Sequence, residues 1–213
     1  ARDAGRSPAE AAYVASSAKP QKIQAAIKGW VHRFNTDKDL VALLRTIGQT
    51  QRTYGSVGVF ASSLAHQSRP ELEPNISNPV DRLVGEWRRE MGPRLFLTAP
   101  SPGSVCKRWM MLFRWMVRKD ELDPGLWSEL PHAFKPSQLL IPLDTHTGRI
   151  SQKLGLTHRK SLGFEAVLEV SEALRRFDPV DPIRYDFALC RVGILSTSKL
   201  FTAPKYGTSE STL

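Results

Sequence analysis

Apolar residues spaced three and four positions apart, following helix-capping residues, are the feature that most limits the folds open to this chain. Thr36 precedes Leu40, Leu43, Leu44 and Ile47, and this spacing places all four apolar side chains on one helical face. A helix with one apolar face is stabilised mainly by packing against other elements. Alternating apolar and polar residues, the pattern typical of strands, are scarce. The sequence therefore predicts an all-α fold.

Capping residues and apolar periodicity together predict helices along most of the chain. Two apolar stretches, 95–97 and 139–143, resemble strands but are too short to build a sheet. A stretch rich in Pro, Ser, Asn and Glu, 66–79, is the expected boundary between two lobes. We therefore divide the chain into an N-terminal helical segment, a main region and a flexible C-terminal tail, at 1–75, 76–193 and 194–213. The predicted helices cover 8–16, 36–54, 56–65, 79–91, 104–119, 145–154, 161–176 and 181–191.

Composition limits the environment and the partners of the chain. Of its 213 residues 41% are hydrophobic, which provides a sizeable core and argues against disorder. No apolar stretch approaches the roughly 18 to 20 residues that span a bilayer, so we expect no membrane partner. The first residues lack the apolar core of a signal peptide, which predicts a cytoplasmic location. A formal net charge of +9 points to a polyanionic partner or an anionic surface without choosing between them.

Cofactor chemistry has little support in the sequence. The two cysteines, Cys106 and Cys190, are too few for a disulfide framework, a four-cysteine zinc site or an iron-sulfur cluster. The sequence contains no phosphate-binding G-x-x-x-x-G-K-[ST] loop, dinucleotide-binding G-x-G-x-x-G, H-E-x-x-H or G-x-S-x-G motif. We therefore predict no metal, no nucleotide cofactor and no other cofactor.

Positive charge is concentrated between residues 88 and 119. This segment has eight basic side chains and one acidic one, a balance of +7 that falls to +4 when the window widens to 81–121. Such a run indicates either a solvated face or a binding surface. The basic residues are Arg88, Arg89, Arg94, Lys107, Arg108, Arg114, Arg118 and Lys119.

Within that segment, a helical wheel of 104–119 separates an apolar face from a basic one. The apolar face carries Trp109 and Phe113, whereas Arg114 and Arg118 share the opposite face with Lys107. Lys107 and Trp115 each have a distinctive position on this wheel. Lys107 falls in the first turn, where the helix dipole disfavours a cation, and Trp115 lies off the apolar stripe. This pattern predicts that both arginines are exposed, on either a solvated face or a binding surface, and that Trp115 is not part of the core face.

Two helix starts carry the remaining candidate residues. The turn before the basic helix contains Gly103 and Ser104, and such a turn presents backbone N–H groups to a phosphate. Asp144 lies where a helix N-cap is expected, followed in the first turns by His146 and Arg149. Capping and catalysis are compatible, because a capping carboxylate is held rigidly.

These residues carry a resemblance to a known family. The stretch from Pro142 through Arg149 and on to Leu156 resembles the "VDTHV-x-R-x-x-x-RLGL" segment of helix-hairpin-helix DNA glycosylases of the endonuclease III type. Pro102 to Lys107 resembles their "LPGVGRK" hairpin, in the same order along the chain. Residues 28–193 resemble more closely a bacterial family known as a domain of unknown function and regarded as a distant glycosylase relative.

The resemblance implies two helical lobes with a cleft between them, a helix-hairpin-helix region within 76–193, and double-stranded DNA as the partner. It implies that Lys107 is the catalytic lysine and Asp144 the catalytic aspartate of a DNA glycosylase with abasic-site lyase activity. A neutral lysine amine would be needed, so Lys107 is expected to be substantially buried. Gly103, Ser104, Arg108, Arg114, Arg118, His146 and Arg149 are the expected DNA contacts, with Trp115 in the base pocket.

The chain departs from the glycosylase pattern at several positions. Ser104-Val105 stands where Val-Gly is expected, 37 positions separate Lys107 from Asp144, and the iron-sulfur loop is absent. The alternatives are a non-catalytic DNA-binding protein on the same scaffold, an enzyme acting on free nucleotides or RNA, and a scaffold protein with an acidic partner. A short distance between the lysine and the aspartate favours catalysis. We expect a monomer associated with the nucleoid.

Overall fold

The computed structural model describes residues 20–66, 79–91, 98, 103–130 and 134–197, and within them helices predominate. Two short strands form one antiparallel hairpin, β1 (Val31–His32) and β2 (Asn35–Thr36). Single 3-10 turns lie at Pro136–Gln138 and Pro182–Tyr185. The helices are α1 (Pro20–Ala26), α2 (Asp37–Tyr54), α3 (Val57–His66), α4 (Pro79–Met91), α5 (Lys107–Val117), α6 (Thr145–Lys153), α7 (Phe164–Phe177) and α8 (Asp186–Thr197).

The start of α2 shows how local sequence sets a helix boundary. The backbone N–H of Thr36 donates a 2.8 Å hydrogen bond to the carboxylate of Asp39, a reciprocal contact that closes the first turn. Acidic residues in this turn also interact favourably with the helix dipole. The helix ends at Gly55, whose φ of 81° lies in the region that glycine adopts without strain.

The core lies between α3, α4, α5, α7 and the extended segment 139–143. Leu83 of α4, Met110 of α5 and Val167 of α7 are buried, together with Ile141 and Leu143 of that segment. The segment is tied to α7 by a 2.9 Å hydrogen bond from the Ile141 backbone N–H to the Ser171 hydroxyl. This extended segment is therefore fixed against the core, and the chain continues from it into α6.

The all-α prediction is confirmed, and most predicted helices are found within a few residues. The helix predicted over 8–16 lies outside the described residues, as do most of 66–79 and residues 95–97. The last helix reaches Thr197 rather than 191, so the predicted boundary at 193 falls inside α8. The β1–β2 hairpin was not predicted, since strands of two residues carry no detectable alternation. Among the described residues, no helix is long and apolar enough to cross a membrane.

Candidate functional site

Lys107 occupies the first position of α5, directly after a sharp change of backbone direction. Cys106 has a φ of 45°, a left-handed conformation that is unusual for a residue other than glycine. It is held by two 3.3 Å contacts, from its backbone N–H to the Ser104 hydroxyl and from its thiol to the Thr98 carbonyl. Its side chain is buried while that of Lys107 remains accessible. The turn therefore aims the lysine away from the core.

Asp144 is the N-cap of α6, as predicted. One carboxylate oxygen accepts a 2.8 Å hydrogen bond from the backbone N–H of Thr147. The residues before it, Pro142 and Leu143, are buried, which holds the approach to the helix against the core. The second carboxylate oxygen remains available for a partner outside the helix.

That partner is Lys107. The lysine Nζ lies 2.6 Å from Oδ2 of Asp144, although 37 positions separate the two residues. The side chains are 44% and 21% exposed, so the substantial burial expected of Lys107 is not found. The lysine is therefore half open to solvent because its helix begins at the surface, while the aspartate is the more protected partner.

The electrostatics of the pair favour an ionised Asp144. Partial burial by itself would raise the pKa of the carboxyl, but its hydrogen bonds from Lys107 and Thr147 and the lysine charge outweigh that effect. The pKa of Asp144 is consequently held below its usual range. The site therefore holds a carboxylate that stays negative at neutral pH.

A second carboxylate, Asp186, was not predicted from the sequence. It is the first residue of α8, it is buried, and the guanidinium of Arg114 donates a hydrogen bond to it. Burial raises the pKa of Asp186; the charges of Arg114 and Lys107 oppose that rise, and the charge of Asp144 reinforces it. The lysine and aspartate of the pair are thus electrostatically coupled to this buried acid. Only its first-turn position is visible in the sequence, and that position is ordinary for an acidic residue.

The prediction that Arg114 and Arg118 are exposed is wrong. Both are only 6% exposed and do not form the open basic face that the helical wheel predicted. Their guanidinium groups share the carboxylate of Asp123, which is itself buried, and Arg118 also binds Asp181. Because these ion pairs occupy both arginines, their guanidinium groups face aspartates rather than a phosphate. The wheel could not show this, since it contains no information about neighbouring segments.

The other expected contacts differ in accessibility. Arg108 and Arg149 are exposed and form no ion pair with any residue in the described ranges. Gly103 is exposed, but its carbonyl accepts a 3.0 Å hydrogen bond from the Phe164 backbone N–H, so the turn is fixed to α7. Ser104 is half-buried. These residues flank the two helix starts that carry Lys107 and Asp144.

His146 and Trp115 complete the predicted set. His146 is half-buried in the first turn of α6, and its buried Nδ1 has no hydrogen-bond partner within the part of the chain that the structure describes. Trp115 is 43% exposed, in agreement with its position off the apolar stripe. Neither residue is connected by a hydrogen bond to the Lys107–Asp144 pair in the described ranges.

Lys107 and Asp144 are suited to acid, base or nucleophilic chemistry through an amine and a carboxylate. In the ranges for which coordinates are described, no group of three or more His, Cys, Asp or Glu side chains is arranged to hold an ion.

The chain matches a protein family over most of its length. The family described as protein of unknown function (DUF2400) matches residues 2–195. Neither a curated protein nor a solved structure is significantly similar to the chain.

Proposed function

Since the chain belongs to the DUF2400 family of proteins of unknown function, we propose its function from its own geometry together with the motif resemblance to helix-hairpin-helix DNA glycosylases: a DNA glycosylase with abasic-site lyase activity. The observation that carries the proposal is the 2.6 Å contact between Lys107 Nζ and Asp144 Oδ2. An amine and a carboxylate brought together from two helix starts, 37 residues apart, are the groups that this chemistry requires.

In the proposed reaction, a modified nucleotide rotates out of the base stack of the duplex while it stays joined to its strand. The C1′ atom of its sugar then approaches Lys107. The neutral amine attacks C1′, the bond between the sugar and the base breaks, and the base leaves with the bonding electrons. The negative charge of Asp144 stabilises positive charge on the sugar, and its carboxylate accepts the proton from the amine. The protonated carboxylate then gives this proton to O4′ as the C1′–O4′ bond breaks, and the lone pair of the amine nitrogen forms the C1′=N bond of a Schiff base.

Strand cleavage follows from that Schiff base. Water takes a proton from C2′, the electrons of that C–H bond form a double bond between C2′ and C3′, and the bond between C3′ and its oxygen breaks as the 3′ phosphate leaves with the electron pair. Water then hydrolyses the imine and returns the free lysine. The half-exposed Lys107 must lose solvent when the DNA binds, because its amine has to be neutral to attack.

Binding to double-stranded DNA is assigned to groups around the two helix starts. Arg108 and Arg149 are exposed and without ion pairs in the described ranges, so their charges are available to phosphates. The proposal includes Gly103, Ser104 and His146 as further contacts. Trp115 would stack on a base.

The proposal extends to the architecture and the location of the protein. It places the pair in a cleft between two helical lobes of a helix-hairpin-helix, glycosylase-like region, in a monomer associated with the nucleoid. Arg114 and Arg118 are not part of the proposed DNA contact, because their guanidinium groups are buried and paired.

A non-catalytic DNA-binding protein is the second candidate. The observation that favours it is the exposure of Lys107, whose ammonium is already paired with a carboxylate. Such a protein would bind duplex DNA through the same exposed arginines without forming a covalent intermediate.

Borohydride trapping on a duplex with one abasic site separates the two candidates. Borohydride reduces a Schiff base to a stable amine, which leaves the protein joined to the DNA. We expect trapping by the wild type, loss of trapping in Lys107→Ala and a strong reduction in Asp144→Asn.

Lys153→Ala is the matched control, since Lys153 is an exposed lysine on α6, the helix that Asp144 caps. It should trap as well as the wild type. Equal trapping by Lys107→Ala and the wild type would exclude the lyase mechanism. Absent trapping together with intact duplex binding would favour the second candidate.

A further inference from the structure

The β1–β2 hairpin displays aromatic and basic side chains to solvent. Phe34 is 83% exposed, Val31 is 65% exposed and Trp30 is 38% exposed, all within five positions. Lys28, His32 and Arg33 are also exposed. Single exposed apolar residues are common on protein surfaces, but a contiguous group among cations is typical of an interaction site.

The backbone of the hairpin is well defined. Val31 pairs with Thr36 and His32 pairs with Asn35, which leaves Arg33 and Phe34 as a two-residue turn. Arg33 has a φ of 55°, the left-handed conformation that two-residue turns require and that residues other than glycine adopt at a cost. The aromatic ring of Phe34 is therefore presented at the tip of a short, paired loop.

The hairpin is anchored to the start of α2. The backbone N–H of Gly29 donates a 3.1 Å hydrogen bond to Asp37, and Asp39 accepts hydrogen bonds from both the N–H and the hydroxyl of Thr36. The carboxylates of Asp37 and Asp39 thus accept hydrogen bonds from Gly29 and Thr36, on either side of the hairpin. A fixed platform of this kind loses little conformational freedom when it binds a partner.

The exposed rings already show the geometry of stacking. The rings of Trp30 and His32 have centroids 6.3 Å apart and an interplanar angle of 26°. The side chains of Lys28 and Arg33 form no ion pair with any residue that the structure describes. The hairpin region therefore combines flat apolar faces with basic side chains that form no ion pair in the described ranges.

We propose that this hairpin is a second DNA contact, at which Phe34 and Trp30 stack on unpaired bases while Lys28 and Arg33 approach the adjacent phosphates. The inference rests on the proposed function for its choice of DNA as the polyanion. Aromatic rings stack on any base, and basic residues follow the backbone, so this combination suits unpaired DNA better than intact duplex. The cations distinguish it from a purely apolar protein-docking surface.

Binding should be measured by fluorescence anisotropy on two labelled DNAs, a fully paired duplex and the same duplex with a central run of three unpaired bases. We expect the wild type to prefer the DNA with unpaired bases. Phe34→Ala should weaken binding to that DNA about tenfold and change binding to the paired duplex little. Arg33→Ala should instead reduce the slope of log Kd against log salt concentration by about one on both DNAs.

Phe177→Ala is the matched control, because Phe177 is a 71% exposed phenylalanine at the end of α7. It should bind both DNAs as the wild type does. Equal affinities of Phe34→Ala and the wild type for unpaired DNA would overturn the proposal, and so would an equal loss in both phenylalanine variants. A change of molecular mass in Phe34→Ala, measured by light scattering, would overturn it by showing that the hairpin contacts a second copy of the chain.

The two proposals can fail separately. If trapping depended on Lys107 and Phe34→Ala bound both DNAs as the wild type does, the hairpin contact would be overturned and the proposed lyase activity would stand. If Phe34→Ala weakened binding only to the DNA with unpaired bases and no trapping were seen, the hairpin would be supported as a contact of a non-catalytic DNA-binding protein. Absence of binding to both DNAs would overturn both proposals.

Discussion

At the scale of single residues, Asp144 has two separable roles. Its Oδ1 caps α6 by accepting the Thr147 N–H, and its Oδ2 accepts a hydrogen bond from Lys107. An N-cap contributes about 0.5 to 2 kcal/mol, whereas an ion pair with a half-exposed lysine contributes at most about 1 kcal/mol. Asparagine caps a helix as well as aspartate does but has no charge, so Asp144→Asn isolates the ionic part.

The ionic part should depend on pH. Because the pKa of Asp144 is lowered in the folded state, its charge stabilises the fold above the unfolded-state pKa, about 3.9, and this contribution is lost as pH falls through the folded-state value. We expect Asp144→Asn to lower the free energy of unfolding by about 0.5 kcal/mol at pH 7 and by a smaller amount at pH 3. Urea unfolding of the wild type and Asp144→Asn at the two pH values measures the difference in their free energies of unfolding. A larger difference at pH 3 than at pH 7 would contradict a lowered pKa of Asp144 in the folded state.

At the scale of secondary structure elements, close packing of α8 on α6 positions the first turn that Asp144 caps. A Cβ on Gly193 of α8 would lie 2.6 Å from the backbone oxygen of His146 in α6. Backbone atoms cannot move aside as the end of a side chain can. The two helices therefore approach this closely only because residue 193 is a glycine.

Gly193→Ala should separate these two helices. We expect it to lower the free energy of unfolding by about 1 to 3 kcal/mol, because overpacking displaces backbone, and to reduce borohydride trapping by displacing Asp144. Gly85→Ala is the control, since no described atom lies within 4 Å of a Cβ at this helical position. It should be neutral or stabilising by up to about 1 kcal/mol. Equal stabilities of the two variants, measured by urea unfolding, would show that the contact between α6 and α8 is not tight.

Arg114 of α5 and Arg118, the C-cap residue of that helix, share the buried carboxylate of Asp123. This carboxylate accepts a 3.0 Å hydrogen bond from Arg114 Nε and a further one from Arg118, and all three groups are buried. Without Asp123, Arg114 would keep Asp186 and Arg118 would keep Asp181, but both buried guanidinium groups would lose a hydrogen-bond acceptor that water cannot easily replace. Asp123 lies between Lys107 and Asp144 in the sequence, in the stretch that makes their separation long.

Asp123→Ala should therefore be strongly destabilising. We expect a loss of about 3 kcal/mol in the free energy of unfolding. Glu129→Gln breaks an ion pair to Lys119 in which both side chains are exposed, and it should leave stability unchanged within error. A loss in Asp123→Ala no larger than that in Glu129→Gln, compared by thermal and urea unfolding, would show that the arginines do not depend on this carboxylate.

At the scale of the whole molecule, not all of the 30 Lys and Arg residues behind the net charge of +9 are available to a partner. Arg114 and Arg118 are neutralised internally, and Lys119 is paired with Glu129. Arg108 and Arg149 are exposed and form no ion pair with a described residue. A polyanion would therefore be bound by a subset of the basic residues that the composition counts.

The salt dependence of duplex binding tests which basic residues contact phosphates. Each phosphate contact contributes about 0.9 to the slope of log Kd against log salt concentration, because binding releases counterions. Arg108→Ala and Arg149→Ala should each lower the slope by about that amount. Lys119→Ala should leave the slope unchanged, since Glu129 already neutralises this lysine. A similar reduction in all three variants would indicate that binding responds to total charge and not to particular residues.

Local physics explains what could be predicted from the sequence. Helix type, the capping roles of Thr36 and Asp144, and the positions of most helix boundaries follow from side chains within one or two turns of each other. The family resemblance of two short motifs singled out Lys107 and Asp144 but left the distance between them open, and packing sets that distance. The exposure of Trp115 followed from its position off the apolar stripe.

Only the tertiary structure decided which charged groups are buried. Arg114 meets Asp186 across 72 positions, and Arg118 meets Asp181 across 63, so no local pattern could separate these arginines from exposed ones. The hairpin that presents Phe34 was also invisible, because two-residue strands are held by pairing and by α2 rather than by alternation. Periodicity by itself determined which segments are helical, whereas burial and charge pairing depend on neighbours that only the folded chain brings together.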